Sequence, residues 1–472
     1  MSNVEIRSQI EAYIKSHISE LEDDLMALCR IDSSRSDPLP GAPFGPGSKE
    51  ALDAAAELCR SYGFFVNNSD GYVCTADLNH EGEPALDILG HVDVVPGGDG
   101  WAETEPFIPV IKGDLIYGRG VSDDKGGVIA ALYAMRAVKE LGLPISKRCR
   151  MIIGSGEETG MEDLKHYLLT EKSAPMTISP DAHFPVHNIE KGRVTVNYSG
   201  EFPPPEGVKR LIFLRGGAAV NQVPAVAEAV ISGFTADEIS ERACKITAET
   251  GIDFKLCEGA GGLFMRAYGC SAHASRPWAG KNALLALVQL AASLDYDKAK
   301  NIDILKACAG LYPCGDFYGE HSGIAACDEC SGATSSSLDI IHLTETSFSA
   351  DVDCRTSVCA DSMDYESIFK LNAERLGCSF TITEHVPSHC VPAGSPFIQT
   401  LLQCYEEVTG EKGWCIPMGG STYVHNIPGG VAFGAVPSGL DNHVHGPDEF
   451  MPVEYLEKTA IIYALAIIRL CR

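Results

Sequence analysis

The chain has 472 residues, 45% of them hydrophobic, a mean hydropathy near zero and a formal charge of −27. That length spreads over more than one domain, and the composition is that of an ordinary globular protein. The acidic balance excludes nucleic acid and anionic membrane surfaces as partners, since their phosphates would be repelled.

Apolar periodicity predicts helices over 6–29 and 49–62, strands near 71–78 and 85–89, an Ala-rich helix over 128–141, and buried strands at 150–153 and 176–179. Such alternation predicts an α/β layer fold with a mostly parallel central sheet. After Lys191-Gly192 the texture changes. Strands at 193–198, 230–234 and 263–268 alternate with helices over 236–250 and 283–291, the pattern of inserted α+β subdomains. A helix over 396–409, an apolar strand at 430–434 and a final helix over 455–470 resume the first pattern. The expected division is therefore 1–192 with 386–472 as one domain and 193–385 as another.

The charged N-terminal stretch has no apolar targeting core. The longest apolar stretch near the C-terminus, 460–468, is far shorter than the ~20 residues of a membrane span. The expected location is the cytoplasm. Eighteen scattered cysteines without a compact framework read as reduced, mostly buried small hydrophobes.

Five segments carry chemistry, each after an apolar strand. In Gly90-His91-Val92-Asp93 the two polar side chains lie two residues apart and share a face on extended backbone. A carboxylate commonly holds the second nitrogen of a metal-bound histidine. Gly118-Arg119-Gly120-Val121-Ser122-Asp123-Asp124-Lys125-Gly126-Gly127 resembles a phosphate loop in glycine content only. Two adjacent carboxylates repel phosphate and attract a cation, although an Asp there could equally cap the next helix. In Gly154-Ser155-Gly156-Glu157-Glu158 one carboxylate can ligate a metal while its neighbour takes a proton from water. Asp181 follows the fourth strand, with His183 and His187 read as loop histidines. In the fifth segment His443 and His445 compete for a ligand role, as do Asp448 and Glu449. Binding crevices of open α/β sheets lie at the carboxyl ends of strands. Together, two His, three carboxylates and Glu157 suit a pair of divalent ions, Zn²⁺, Mn²⁺ or Co²⁺.

At GHVDVVPGGDGW, EPF, GDLIYGRGVSDDKGG, GSGEETG, SPDAHFPV and VHGPDE the chain resembles the metallopeptidase family of carboxypeptidase G, aminoacylase-1, succinyl-diaminopimelate desuccinylase and the dipeptidases. The long insert, with Gly315-Asp316-Phe317-Tyr318-Gly319 inside it, is similar to the PepV-like dipeptidase branch. The resemblance implies an aminopeptidase-like catalytic domain with an inserted lid of two pseudo-duplicated subdomains, a monomer, and short peptides as substrate. It implies that Asp123 bridges two metals, Zn²⁺ in the first instance, together with a water. His91 and Asp181 would hold one metal, Glu158 and His445 the other. Asp93 would brace His91, and Glu157 would be the general base. His273, in a segment similar to the family's G-x-x-A-H, would polarise the scissile carbonyl. Asn221, Arg355 and the Gly420-Ser421-Thr422 loop would hold the substrate carboxylate. Where the PepV-like branch often carries Lys or Arg after the Gly-rich loop, this chain has Val424-His425. That affects side-chain preference and leaves the chemistry alone. A structural zinc site at Cys308, Cys314, Cys327 and Cys330 is a further reading of the inserted region.

Three other functions compete. A deacylase of N-acyl amino acids or a desuccinylase would use the same metal centre. An inactive metal-binding protein would have no need of Glu157 beside Glu158. A dinucleotide oxidoreductase lacks its GxGxxG after the first strand.

Overall fold

The computed structural model describes residues 3–472, and its chain divides into two units. The first runs to Ile189 and adds Cys390–Ile416 and Ser421–Arg472. The second comprises Glu190–His389 and Pro417–Gly420.

The first unit is built on a mixed sheet. Its middle strands, in the order Arg148–Gly154, Pro84–His91, Met176–Ser179 and Gly430–Ala432, are parallel. Antiparallel strands flank them, Val73–Asp77 and Phe65–Ser69 on one side and Val186–Glu190 on the other. The parallel character is thus confined to the centre. The helix Lys125–Glu140, Ala-rich and buried along nearly its whole length, packs on the sheet and on Val453–Leu470. That explains its lack of a polar face: helices and strands cover it all round.

The second unit is one eight-stranded antiparallel sheet. It falls into two four-stranded halves that meet where Arg210–Gly216 pairs with Ser335–Thr344. Each half runs hairpin, helix, edge strand. The first uses Arg210–Gly216, Val226–Ser232, Ala236–Thr250 and Asp253–Gly259. The second uses Ser335–Thr344, Ser347–Thr356, Tyr365–Leu376 and Ser379–Val386. The remaining strand next to each edge is Gly262–Tyr268 in one half and Gly192–Glu201 in the other. One apolar core, with Leu284, Leu287, Leu305 and Phe369 in it, joins the halves.

Several expectations are corrected. The helix expected over 6–29 is two, Asn3–Ser16 and Ile18–Cys29, because His17 leaves helical geometry and turns Nδ1 to the Tyr13 carbonyl at 2.8 Å. The strand expected at 230–234 is Val226–Ser232, since Thr235 and Glu238 form a capping box that starts the next helix. His187 is no loop residue but lies buried in the strand Val186–Glu190. Only eight of the eighteen cysteines are buried (Cys29, Cys59, Cys74, Cys149, Cys308, Cys354, Cys404, Cys471), and seven are exposed. No helix among the described residues is long and apolar enough to cross a membrane.

Candidate metal centre

The parallel strands all point their carboxyl ends toward one side, and the chemistry gathers there. His91 is the last residue of its strand and is fully buried. Its Nδ1 lies 3.1 Å from the Asp93 carbonyl oxygen and 3.5 Å from Asp93 Oδ1. Its Nε2 faces Asp123 Oδ1 at 3.2 Å and Asp181 Oδ2 at 3.8 Å, yet is a buried nitrogen with no well-formed hydrogen bond. Asp181 follows Met176–Ser179. Glu157 and Glu158 open the short 3₁₀ turn after Arg148–Gly154. His445 comes from the loop after Gly430–Ala432 and places Nε2 3.0 Å from Asp123 Oδ2 and 3.3 Å from Glu158 Oε1.

Two groups of ligand-type atoms result, each within 4.8 Å: His91, Asp123 and Asp181, and Asp123, Glu158 and His445. Asp123 belongs to both. Among the described residues no other cluster of three forms, so Cys308, Cys314, Cys327 and Cys330 do not gather. Cys308 is buried in the core of the second unit, whereas Cys327 and Cys330 lie on an exposed hairpin.

The electrostatics favour cations. Burial, reinforced by neighbouring carboxylates, pushes Glu157, Glu158 and Asp181 above the ordinary carboxyl range. Burial acts on Asp123 in the same sense, but His445 and His91 outweigh it and hold that carboxyl well down. Asp123 and Glu158 in turn push His445 up to about 10. An orphaned imidazole nitrogen facing crowded acidic groups is the donor set that divalent metals take. The residues present therefore fit two such ions.

Local structure explains the placement. Asp93 accepts from the backbone N–H of Glu157 (3.2 Å) and of Glu158 (3.1 Å), so it steadies both glutamates as well as His91. Asp124 occupies the cap position of Lys125–Glu140 but makes no cap bond; its Oδ2 accepts from His91 N at 3.3 Å. Gly127 lets that helix pass the strand end, since a Cβ there would fall on Asp124 Oδ1 and within 2.6 Å of Pro180.

Three buried residues beside the centre went unread in the sequence. Asp163, fully buried, accepts from Ser155 N and Gly156 N at 2.8 Å each and from the Tyr423 hydroxyl. Tyr423 packs edge-on against His91, with ring centroids 6.0 Å apart. Arg119 pairs with Glu449 in full burial. Tyr423 and Arg119 act on partners more than 250 residues away, and Asp163 on the backbone of the loop just before it, so no short motif marks any of them. Of the competing residues, His445 reaches the cluster while His443 packs on Phe450. Asp448 accepts from Ala102 N and Glu103 N, and neither it nor Glu449 joins a cluster.

Of the remaining expected residues, Asn221, His273, Arg355 and Gly420 belong to the second unit and Ser421 and Thr422 to the first. Asn221 and His273 are brought together: Gln222 pairs with His273, and Ala274 N donates to Asn221 O at 2.9 Å. His273 Nδ1 accepts from Ser275 N at 3.1 Å, which leaves Nε2 to carry the proton. Partial burial, then Arg355, pushes His273 below its ordinary value, favouring the neutral ring. Arg355 is buried at 4% exposure, with Nε and Nη2 on Asp353 and Nη1 on Gly419 O at 3.1 Å. Its fork is largely engaged, with one N–H left on each Nη. Gly420 is half-buried and Ser421 exposed. Thr422 is buried and caps the short helix Tyr423–Asn426.

A mixed α/β sheet with two overlapping His–carboxylate clusters at its strand ends defines a hydrolase built for a pair of metals. The model of peptidase family M20/M25/M40 matches residues 88–469, and the chain belongs to that family of peptide-bond hydrolases. A putative dipeptidase, YtjP, of Bacillus subtilis (strain 168) is 33% identical over 460 residues, 96% of this chain and 97% of its own. The Beta-Ala-Xaa dipeptidase of Lactobacillus delbrueckii subsp. lactis is 31% identical over 459 residues, 95% of each chain. Human carnosine dipeptidase 1 shares the fold, with a TM-score of 0.59 at 14% identity and 98% coverage of both chains.

Proposed function

We propose that this chain is a metal-dependent dipeptidase that hydrolyses dipeptides and very short peptides with a free amino terminus, substrates such as carnosine among them. The observation that carries the reading is Asp123, whose two oxygens lie 3.2 Å and 3.0 Å from the two imidazoles of separate clusters. The dipeptidase names of full-length relatives narrow the substrate class.

In this reading His91, Asp123 and Asp181 hold one divalent ion, and Asp123, Glu158 and His445 the other, with Zn²⁺ the first candidate and Mn²⁺ or Co²⁺ the alternatives. Two such ions supply Lewis acidity and a more acidic attacking water. Glu157 takes a proton from that water and returns it to the leaving amine, so its carboxyl ends the cycle unchanged. Asp93 fixes Glu157 in place through its backbone N–H. Residues 193–385 act as a lid on the catalytic domain of 1–192 and 386–472. The lid's His273, with Nδ1 occupied by Ser275, offers Nε2–H to the carbonyl oxygen as charge develops there. Asn221, Arg355 through its spare N–H groups, and Gly420 to Thr422 receive the substrate carboxylate. The doubled second unit supports a monomer, and the free thiols and acidic surface support a cytoplasmic enzyme.

Chelated protein is expected to be inert and to regain cleavage of free dipeptides with Mn²⁺, Zn²⁺ or Co²⁺. N-acetylated dipeptides should be cut far more slowly, and free tripeptides more slowly than free dipeptides. Cleavage of the acylated compounds alone would replace this reading by a deacylase on the same metal centre. His273→Ala should retain its metal while kcat falls about 10²–10³-fold, the usual loss for one oxyanion donor. An unchanged kcat would remove His273 from the mechanism.

A further inference from the structure

The two clusters are built on different foundations. His91 ends a central strand and Asp181 follows another directly. His445, by contrast, sits at φ 63° on an irregular loop with a side chain 53% exposed. Asp123 lies on the turn between Gly118 and the helix Lys125–Glu140. Neither of these loop-borne residues is fixed by the parallel ladder.

A buried ion pair ties the two together. Arg119 is 2% exposed and Glu449 0%. Arg119 donates through Nη1 to Glu449 Oε2 at 2.6 Å and through Nη2 to the carbonyl of Gly446, next to His445, at 3.0 Å. The other oxygen, Glu449 Oε1, accepts from the backbone N–H groups of Gly120 (3.1 Å), Ser122 (3.0 Å) and Asp123 (3.2 Å). Gly118 N closes on Glu449 O at 3.0 Å, and the short ladder Phe450–Pro452 with Leu115–Tyr117 holds the two segments in register. Trp101 covers the guanidinium, its ring 5.4 Å away. Stability alone gives little reason for such a pair, since the cost of desolvating both charges often matches or exceeds their attraction. Its hydrogen bonds run to the backbone at and just before Asp123 and to the carbonyl just after His445.

We infer that Arg119 and Glu449 are positioning residues that set the distance between Asp123 and His445, and so the affinity of the second metal position. The inference rests on the metal centre proposed above, but its test needs no substrate. It therefore stands or falls separately from the dipeptidase assignment. Mn²⁺ binding is measured by equilibrium dialysis on the full-length wild type, Glu449→Gln and Arg119→Lys, with apo-protein melting followed by circular dichroism. Glutamine keeps the shape and one acceptor but loses the charge. Lysine keeps the buried cation but loses the fork that spans Glu449 and Gly446. The expected result is a weaker of two Mn²⁺ equivalents loosened by about 10–100-fold, the usual cost of removing a partner that orients a ligand, with apo melting close to wild type in at least one variant. Two equivalents bound as in wild type would overturn the inference. So would apo protein that is unfolded in both variants, which would mark the pair as scaffold alone.

Discussion

Glutamine in place of Glu157 is expected to lower kcat by about 10²–10⁴-fold, the contribution of a positioned general base, while the bound metal stays at the wild-type level. Glu157 belongs to neither His–carboxylate cluster, so the ligand set survives the change. Its backbone N–H stays on Asp93 Oδ1, and that bond does not involve the side chain. Burial, with Glu158 and Asp123 nearby, pushes this carboxyl up. A glutamine there removes one of several crowded acids, and the metal-free protein should melt no lower than wild type. Steady-state rates on a free dipeptide together with metal content by mass spectrometry decide the matter. A kcat within tenfold of wild type at full metal loading would remove Glu157 as the base.

Alanine at Asp123 is expected to abolish binding of both cations and all measurable turnover. Alanine at Asp181 or His445 should leave one cation bound. The asymmetry follows from geometry: among the described residues Asp123 alone reaches both imidazoles, at 3.2 Å and 3.0 Å. The turn itself should persist, because Glu449 holds the Asp123 backbone and not its side chain. The cleanest readout is thermal. A ligand at 100 times its dissociation constant stabilises a protein by about 2.7 kcal/mol. Wild-type melting should rise on adding Mn²⁺ at that level, and Asp123→Ala should show no rise. A full metal-dependent rise in the variant would mean that another residue bridges the centre.

Much of this was legible before any fold was known. Central strands such as Pro84–His91 read as apolar runs interrupted only at Asp87, because nearly all of their residues are buried on both faces. Helices with clear start and stop chemistry, Ala236–Thr250 and Pro396–Thr409, fall on their expected boundaries. The element run of the second unit was legible only in part. A hairpin, a helix and an edge strand recur in each half, but the strand beside the edge enters from different places in the chain. No linear repeat results.

By itself the sequence determined that acidic and histidine residues follow apolar strands, five times over, and that a carboxylate pair stands where a phosphate loop would need none. Periodicity and short motifs carry that information, since they reflect neighbours along the chain. The local pattern left His443 and His445 as alternatives, with the family resemblance favouring His445; the tertiary structure brings His445 and not His443 to Asp123, sets Asp123 between two imidazoles, and shows Glu449 gathering backbone N–H groups more than 300 residues away instead of binding beside His445. Those choices depend on which strands lie side by side and how loops fold over their ends. Such distances arise from packing between remote segments, and no local pattern records them.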